Sequence, residues 1–555
     1  MPASSLPPAA DEVLRIQNLG IRLAGLDRAA PVLEGIDLSV RRGETLCLVG
    51  ESGSGKSVTS LAVMGLLPAG LEIAGGSVRL IGDELVGRSA RAMRSLRGRR
   101  VAMIFQEPMT ALNPVLRVGD QIAEVLTLHG DLGKAEIRAR VHAIAEQVRL
   151  PEPDRILRAY PHELSGGQRQ RVMIAMALVL EPALLIADEP TTALDVTTQR
   201  QILSLIAELK ERLGTAVMFI THDMGVVSEI ADTVAVMREG RIVEQAPVDH
   251  LLRHPREDYT RELLSAVPGL TPRPARAFPG AARVFEARSL GKVYGGGGLF
   301  RKRRHVRAAE DVSFELLRGQ TVGIVGESGS GKSTVARCAL RLIDPSAGEI
   351  LLDGADITTL GRAALRPHRR KVQIVFQDPN RSLNPRWTVG RSLVEGPLNF
   401  GTPRPEAEEE ARRLLDVVGL PQDAMTRYPH QFSGGQRQRI AIARAVAMRP
   451  DVLVADEAVS ALDVSVQAQV LDLLAALQAD LGIGILFITH DLRVAAQICD
   501  RVIVMQKGRI VEQGPAADLL ARPQHPYTRE LIEAAPGRNW DFRNFRPLAA
   551  AGTFP

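Results

Sequence analysis

Two glycine-rich stretches carry the most specific chemistry in this sequence: GESGSGKS at 50–57 and GESGSGKST at 326–334. Each follows a short apolar run and precedes residues with helical spacing. In that setting the pattern GxxxxGK[ST] bends the backbone so that successive N–H groups point inward at the positive end of a helix, where they cradle phosphate oxygens. Gly50, Glu51, Ser52, Gly53, Ser54 and Gly55 are expected to form one cradle. Gly326, Glu327, Ser328, Gly329, Ser330 and Gly331 are expected to form a second, which Thr334 extends where Val58 stands in the first. Lys56 and Lys332 would reach the β- and γ-phosphates, and the hydroxyls of Ser57 and Ser333 would ligate Mg2+.

Further pairs suit the same chemistry. LLIADE and VLVADE are apolar strands that end in Asp-Glu, so each puts two carboxylates at the carboxyl edge of a parallel sheet. Asp188 and Asp456 suit the Mg2+ shell. Glu189 and Glu457 suit polarising or deprotonating an attacking water. His222 and His490 each close a FIT strand, where a histidine is either structural or a γ-phosphate contact; their fixed offset from the carboxylates favours contact. Gln106 and Gln377 end strands before LNP segments, and their amides could sense Mg2+ or the water. Ser165-Gly166-Gly167-Gln168 and Ser433-Gly434-Gly435-Gln436 precede apolar helices. Exposed glycine N–H groups and a serine hydroxyl at a helix start make a second phosphate-binding surface.

These groups repeat in order. Ser165 and Ser433, Asp188 and Asp456, and His222 and His490 are each 268 apart (433 − 165, 456 − 188, 490 − 222). A period of that length means whole domains in tandem, not a solenoid. The expected division is a first domain over 1–268, a linker over 269–282, a second domain over 283–535 and an extended tail over 536–555. Pro and Gly in GLTPRPARAFPGAA (269–282) support the linker, and GGGGLFRKRRH (295–305) reads as a flexible surface loop. In each copy ETLCLVG-like, ALLIADE-like and AVMFITHD-like runs read as buried core strands alternating with helices. The expected class is α/β, with a mostly parallel core sheet in each domain.

The 555 residues are 45% hydrophobic and 24% charged, ordinary for a soluble globular protein. A net charge of +5 over that length does not by itself imply nucleic acid. RSARAMRSLRGRR (88–100) and RPHRRK (366–371) could line a nucleic-acid groove, but no aromatics are interleaved to stack bases, so solvated surface near a partner interface is the better reading. The start MPASSLPPAADEV lacks the pattern of a signal peptide, and the longest apolar stretch, VMIAMALVL (172–180), is too short to span a bilayer. A chain soluble by itself is expected. Cys47, Cys338 and Cys499 show no metal-binding spacing.

With phosphate loop, glutamine loop, SGGQ, DE strand and histidine in that order, each half resembles an ABC-type ATPase domain, from about Leu14 to Pro536. QEPMTALNP, QDPNRSLNP, YPHELSGGQRQR, DEPTTALDV and HPYTREL narrow the resemblance to the ATP-binding subunits of peptide-class importers, in the fused form of the glutathione- and microcin-type systems. That resemblance implies a P-loop NTPase fold with an antiparallel β subdomain and a helical signature subdomain in each half. It implies two ATP molecules with Mg2+, one between 50–57 and 433–436 and the other between 326–333 and 165–168. The implied partners are two transmembrane permease subunits and a solute-binding protein, with no nucleic acid, and the implied place is the cytoplasmic face of the inner membrane. The segments after Gln106 and Gln377 would face permease helices.

The sequence departs from the family pattern at named places. Tyr294 stands where an aromatic stacks on adenine in the family, whereas Leu23 stands there in the first half. Ala458 replaces the proline found as Pro190. Some relatives hold an iron–sulfur cluster after the first domain; no cysteine lies between Cys47 and Cys338, so none is expected. Two other readings differ in class. A soluble tandem ATPase acting on ribosomes or DNA would carry a long charged helical linker or zinc cysteine pairs, and an exporter would lack HPYTREL and the LNP segments.

Overall fold

The computed structural model describes residues 11–25, 30–130, 132–192, 194–296, 304–460 and 462–548. It divides into two compact units, one of Met1–Leu194, Thr198–Val267 and Asn539–Pro555, the other of Asp195–Thr197 and Pro268–Arg538.

In the first unit the strands Thr45–Val49, Leu184–Asp188 and Ala216–Thr221 are buried along their whole length. Their continuous apolar runs have no solvent face, which suits central parallel strands covered on both sides. They lie in a six-stranded sheet in the order Arg241–Pro247, Thr233–Arg238, Thr45–Val49, Ala216–Thr221, Leu184–Asp188, Val101–Ile104. All neighbours are parallel except the first pair. Because Val49 pairs with Thr221 and Asp188 with Ile220, three strands end level with one another. The residues that follow, Gly50, Glu189 and His222, therefore emerge at one edge, where open α/β sheets bind ligands.

A four-stranded antiparallel sheet, ordered Leu33–Arg41, Glu12–Leu23, Leu71–Leu80, Asp83–Glu84, packs with the phosphate-loop helix Lys56–Met64 into one core. Helices Val118–His129, Lys134–Gln147 and Gly166–Leu178 make the helical portion. The second unit repeats this plan, with sheets ordered Arg304–Leu317, Arg283–Gly296, Ala347–Leu352, Ala355–Asp356 and Val372–Val375, Val452–Asp456, Gly484–Thr489, Thr321–Val325, Arg501–Gln506, Arg509–Pro515. The α/β class and the mostly parallel core sheets are as the sequence implies.

The Pro-rich segment after Val267 carries neither helix nor strand up to Ala282. It is pinned within the second unit, where Arg276 makes a two-pronged contact with the buried carboxylate of Asp500 at 2.9 and 2.7 Å. Of the glycine-rich loop 295–305, residues 297–303 lie outside the described residues; Gly295 pairs with His305 in a strand ladder. Within the expected tail, the described residues 540–547 form a small hairpin. Trp540–Asp541 pairs with Arg546–Pro547, Phe542 is buried, and the Trp540 ring lies under the Arg253 guanidinium at 5.5 Å. A two-residue ladder is too short to show as alternation in sequence. No helix among the described residues is long and apolar enough to cross a membrane.

Candidate active site

The phosphate loops have the backbone that the glycines permit. Gly50 has φ 152°, and a Cβ there would sit 2.3 Å from the Met237 carbonyl oxygen; Gly326 has the same φ and meets Met505 at the same distance. Gly55 and Gly331, at φ 106°, start the helices Lys56–Met64 and Lys332–Ala339. Those φ values favour glycine. Lys56 is buried, and its Nζ donates to the carbonyls of Gly50 and Glu51, both at 2.7 Å. Lys332 does the same with Gly326 and Glu327, at 2.7 and 2.8 Å. Burial lowers the proton affinity of Lys332, an effect that the nearby carboxylate of Glu457 opposes.

The first residue of each helix after the lysine meets the DE strand. Ser57 Oγ donates to Asp188 Oδ1 at 3.1 Å, and Ser333 Oγ to Asp456 Oδ1 at 3.2 Å. A hydroxyl and a carboxylate side by side at the mouth of a phosphate cradle are oxygen donors of the kind Mg2+ takes beside a nucleotide. Burial pushes both Asp188 and Asp456 up, and the serine hydroxyls partly offset it. A desolvated carboxylate of this sort favours a divalent cation, so the residues fit the metal.

Glu189 is the hub of the first site. Its Oε2 accepts from Gln106 Nε2 and from Thr192 Oγ1, each at 2.9 Å, and its Oε1 lies 3.2 Å from His222 Nδ1. Burial alone would raise its pKa, but the hydrogen bond and charge of His222, with the Thr192 hydroxyl, hold it at about 2. Glu457 is likewise held below the usual carboxylate range, by His490 against the effect of burial. Gln377 Nε2 donates to Glu457 Oε2 at 2.8 Å, and His490 Nδ1 lies 3.7 Å from Glu457 Oε1. Both glutamates sit at positive φ, 46° and 50°, an uncommon region for a non-glycine residue. Ala458 in place of proline leaves this backbone unchanged. Each glutamate is thus an ionised acceptor, aimed by an amide and an imidazole. It can orient a water and take up its proton as attack on a phosphorus proceeds.

The SGGQ segments are built as helix N-termini. Ser165 Oγ accepts from Gln168 N at 3.3 Å while Gln168 Oε1 accepts from Ser165 N at 3.0 Å, and Ser433 with Gln436 repeats both distances. The glutamine side chains are spent on this reciprocal cap. The glycines differ in purpose. A Cβ on Gly167 or Gly435 would strike Thr198 or Val466 at 2.6 or 2.3 Å, whereas one on Gly434 would meet open space. The second glycine lets two helices pack, and the first leaves helix N–H groups open to an anion.

Tyr294 and Leu23 are both 42% exposed near the ends of their strands. Each cassette therefore brings together lysine, serine, aspartate, glutamate, glutamine and histidine at one sheet edge. Five further residues contribute through contacts that the sequence reading did not assign to them. Thr192 holds Glu189. Asp223 and Asp491 cap the helices after the histidines, accepting from Gly225 N and Arg493 N at 2.8 Å each; Asp directly before a helical run is the signal that could have shown it. Tyr259 and Tyr527 touch the phosphate loops from over two hundred and exactly two hundred positions away in sequence, respectively (208 and 200 residues).

Comparison with known proteins gives the family. The ABC transporter family model matches residues 33–192 and 309–460, and the model of the oligopeptide/dipeptide transporter C-terminal region matches 243–310 and 511–549. The glutathione import ATP-binding protein GsiA of Escherichia coli O6:H1 is 49% identical over 565 residues, which cover 95% of this chain and 90% of that protein. Its counterpart in Pectobacterium atrosepticum is 48% identical, covering 94% and 89%. Among solved structures, cbiO1 from Clostridium perfringens, part of the ABC transporter complex cbiONQ, is 30% identical with a TM-score of 0.38, covering 43% of this chain and 92% of that one.

Proposed function

The chain belongs to the ABC transporter family, and on that premise we propose how it works as the ATP-hydrolysing motor of a peptide-class importer. The observation that carries the proposal is the double constellation of Ser57–Asp188 with Gln106–Glu189–His222, and Ser333–Asp456 with Gln377–Glu457–His490. Each phosphate loop takes the phosphates of one ATP. Lys56 or Lys332 neutralises the outer phosphates, the Ser–Asp pair holds Mg2+, and the glutamate takes the proton of the attacking water. Mg2+ itself would offset charge on the phosphate oxygens.

The family arrangement supplies the other half of each site. Ser165–Gln168 and Ser433–Gln436 each add a second phosphate-binding surface, and the duplication lets one chain hold both ATP molecules. The helix N-terminus beside Gly434, where a Cβ would meet open space, supports this, since it offers N–H groups to a phosphate. Tyr294 stacks on one adenine. The domain limits of this reading are 1–268, 269–282, 283–535 and 536–555.

Importer motors act on separate membrane subunits. The chain docks on the cytoplasmic face of the inner membrane against two permeases, which receive solute from a binding protein. The curated relatives are named for glutathione import, so glutathione or a related short peptide is the solute proposed here. The test is co-purification from native membranes, then ATP-driven uptake of labelled glutathione and dipeptides by the reconstituted complex. Recovery of permeases and uptake of one of these solutes is expected. Recovery with ribosomes or DNA, and no permease, would favour the soluble alternative.

A further inference from the structure

The motif YTREL occurs twice, at 259–263 and 527–531, and nothing in the ATPase chemistry described above uses it. Each tyrosine lies in the first turn of a short helix, Asp258–Ser265 or Pro526–Ala534. Both rings are buried, at 7% and 4% exposure. A phenylalanine would fill the same space, so burial does not account for the hydroxyl.

The hydroxyl has a specific partner. Tyr259 Oη accepts from the backbone N–H of Glu51 at 3.1 Å, and Tyr527 Oη accepts from that of Glu327 at 3.0 Å. Glu51 and Glu327 are the second residues of the phosphate loops. The same peptide unit, Gly50–Glu51, presents its carbonyl to Lys56 Nζ at 2.7 Å, and Gly326–Glu327 presents its carbonyl to Lys332 Nζ at 2.7 Å. A peptide is a rigid plane, so fixing its N–H fixes the direction of the opposite C=O. We propose that Tyr259 and Tyr527 are positioning residues of the two ATP sites, each orienting the peptide on which the phosphate-binding lysine docks.

The tyrosines are themselves anchored to the core sheets. Glu244, within the strand Arg241–Pro247, accepts from the N–H groups of Arg256 and Glu257 at 2.9 and 3.2 Å, directly before the tyrosine helix. Glu512 accepts from Gln524 and His525 at 2.8 and 3.0 Å in the same way. In the first cassette the Arg238 guanidinium also lies 4.9 Å from the Tyr259 ring centroid, a contact that Gln506 cannot make at the matching position. Burial raises the Tyr527 hydroxyl above its ordinary pKa, so it stays neutral at physiological pH. The C-terminal element thus reaches the lysine through one hydroxyl and one peptide plane. Glu51 and Glu327 lend position, their N–H groups being spent on tyrosine.

The inference rests on the loops being ATP sites. The test uses the full chain with Tyr259→Phe, Tyr527→Phe and both together. Loss of one neutral hydrogen bond per site should raise the dissociation constant for ATP about three- to tenfold. Because the lysine binds phosphate in ground and transition states alike, KM for ATP should rise by a similar factor while kcat stays within about twofold. In a Lys56→Ala/Lys332→Ala background the tyrosine changes should have no further effect on ATP binding, as expected of residues acting through one another. An unchanged KM in the double phenylalanine variant, or an equal loss in the lysine-free background, overturns the proposal. Absence of ATP binding by the unaltered chain would instead strike the site assignment, and the inference with it.

Discussion

Gln106 Nε2 donates to Glu189 Oε2 over 2.9 Å, and the same side chains meet in the second cassette, Gln377 with Glu457, over 2.8 Å. A residue just past the end of one strand is thereby tied to the carboxylate that follows the neighbouring strand. An attacking water must share or displace that amide to reach the carboxylate. The amide follows strand Val101–Ile104 and leads into the segment that faces a permease in the proposed complex, so it can report docking to the site of hydrolysis.

Glu189→Gln with Glu457→Gln should lower ATP turnover by about 10²–10⁴-fold, the usual worth of a positioned general base. Glutamine keeps the shape and can still accept from Gln106, Gln377 and Thr192, but it cannot take the proton. Nucleotide affinity should persist, since neither carboxylate lies in the glycine cradle. Equilibrium ATP binding and phosphate release, measured on the same preparation, check this. A loss of affinity would show that the carboxylates hold nucleotide.

Asp188→Asn and Asp456→Asn should have opposite effects with and without ligand. Burial raises both carboxyls, which means the ionised form is penalised in the folded state. The sign follows: that penalty weighs on stability above the folded pKa, and vanishes below the unfolded one where the group is neutral in both states. At pH 7 a neutral amide removes it, so the ligand-free chain should melt at the same temperature or slightly higher. Addition of ATP with Mg2+ should then stabilise the variant less than the wild type. Thermal melts with and without Mg2+ read both signs; a lower ligand-free melting temperature with a full Mg2+ response would contradict the metal assignment.

Most of this site was legible from local spacing. A phosphate cradle is made by consecutive backbone groups, and its glycines must follow one another, so residues 50–57 announce themselves. The DE and THD pairs are legible because parallel strands end at one edge. Contacts that depend on how distant segments pack are not. Tyr259 reaches Glu51 across 208 residues, and nothing near either residue marks the other. Thr192 was read only as part of a family signature, since its role depends on the left-handed turn at Glu189 that brings the hydroxyl back to the carboxylate. The hairpin around Trp540 escaped because two paired residues leave no period.

The adenine contacts should be unequal. Tyr294 offers an aromatic face and Leu23 does not, and both are exposed enough to meet a base. Stacking on an aromatic ring contributes on the order of 1 kcal/mol, or several-fold in affinity. Tyr294→Ala should therefore weaken one of two ATP equivalents in a binding titration, while Leu23→Ala changes neither by more than about twofold. Equal losses from the two substitutions would refute the asymmetry.

Docking to the permeases should depend on the segments after Gln106 and Gln377. Their acidic residues are not equivalent. Asp378 accepts from Asn380 N at 2.8 Å and caps the short helix Pro379–Ser382, so reversing its charge also removes a cap. Glu107 is exposed, and it contributes its backbone carbonyl, not its carboxylate, to the following turn, where Thr110 Oγ1 donates to it at 3.0 Å. Glu107→Lys is therefore the cleaner probe. It should leave the ATPase of the isolated chain within about twofold, because the side chain is no part of the Glu189 cluster. In the reconstituted complex it should lower solute uptake by about tenfold or more, since a new cation would oppose the docking surface. Asp378→Asn, which can still accept the capping hydrogen bond, serves as the matched change in the second cassette. Uptake and ATPase measured together separate the outcomes. Normal uptake in Glu107→Lys would place the docking surface elsewhere, and a parallel loss of isolated ATPase would show that the residue acts within the site.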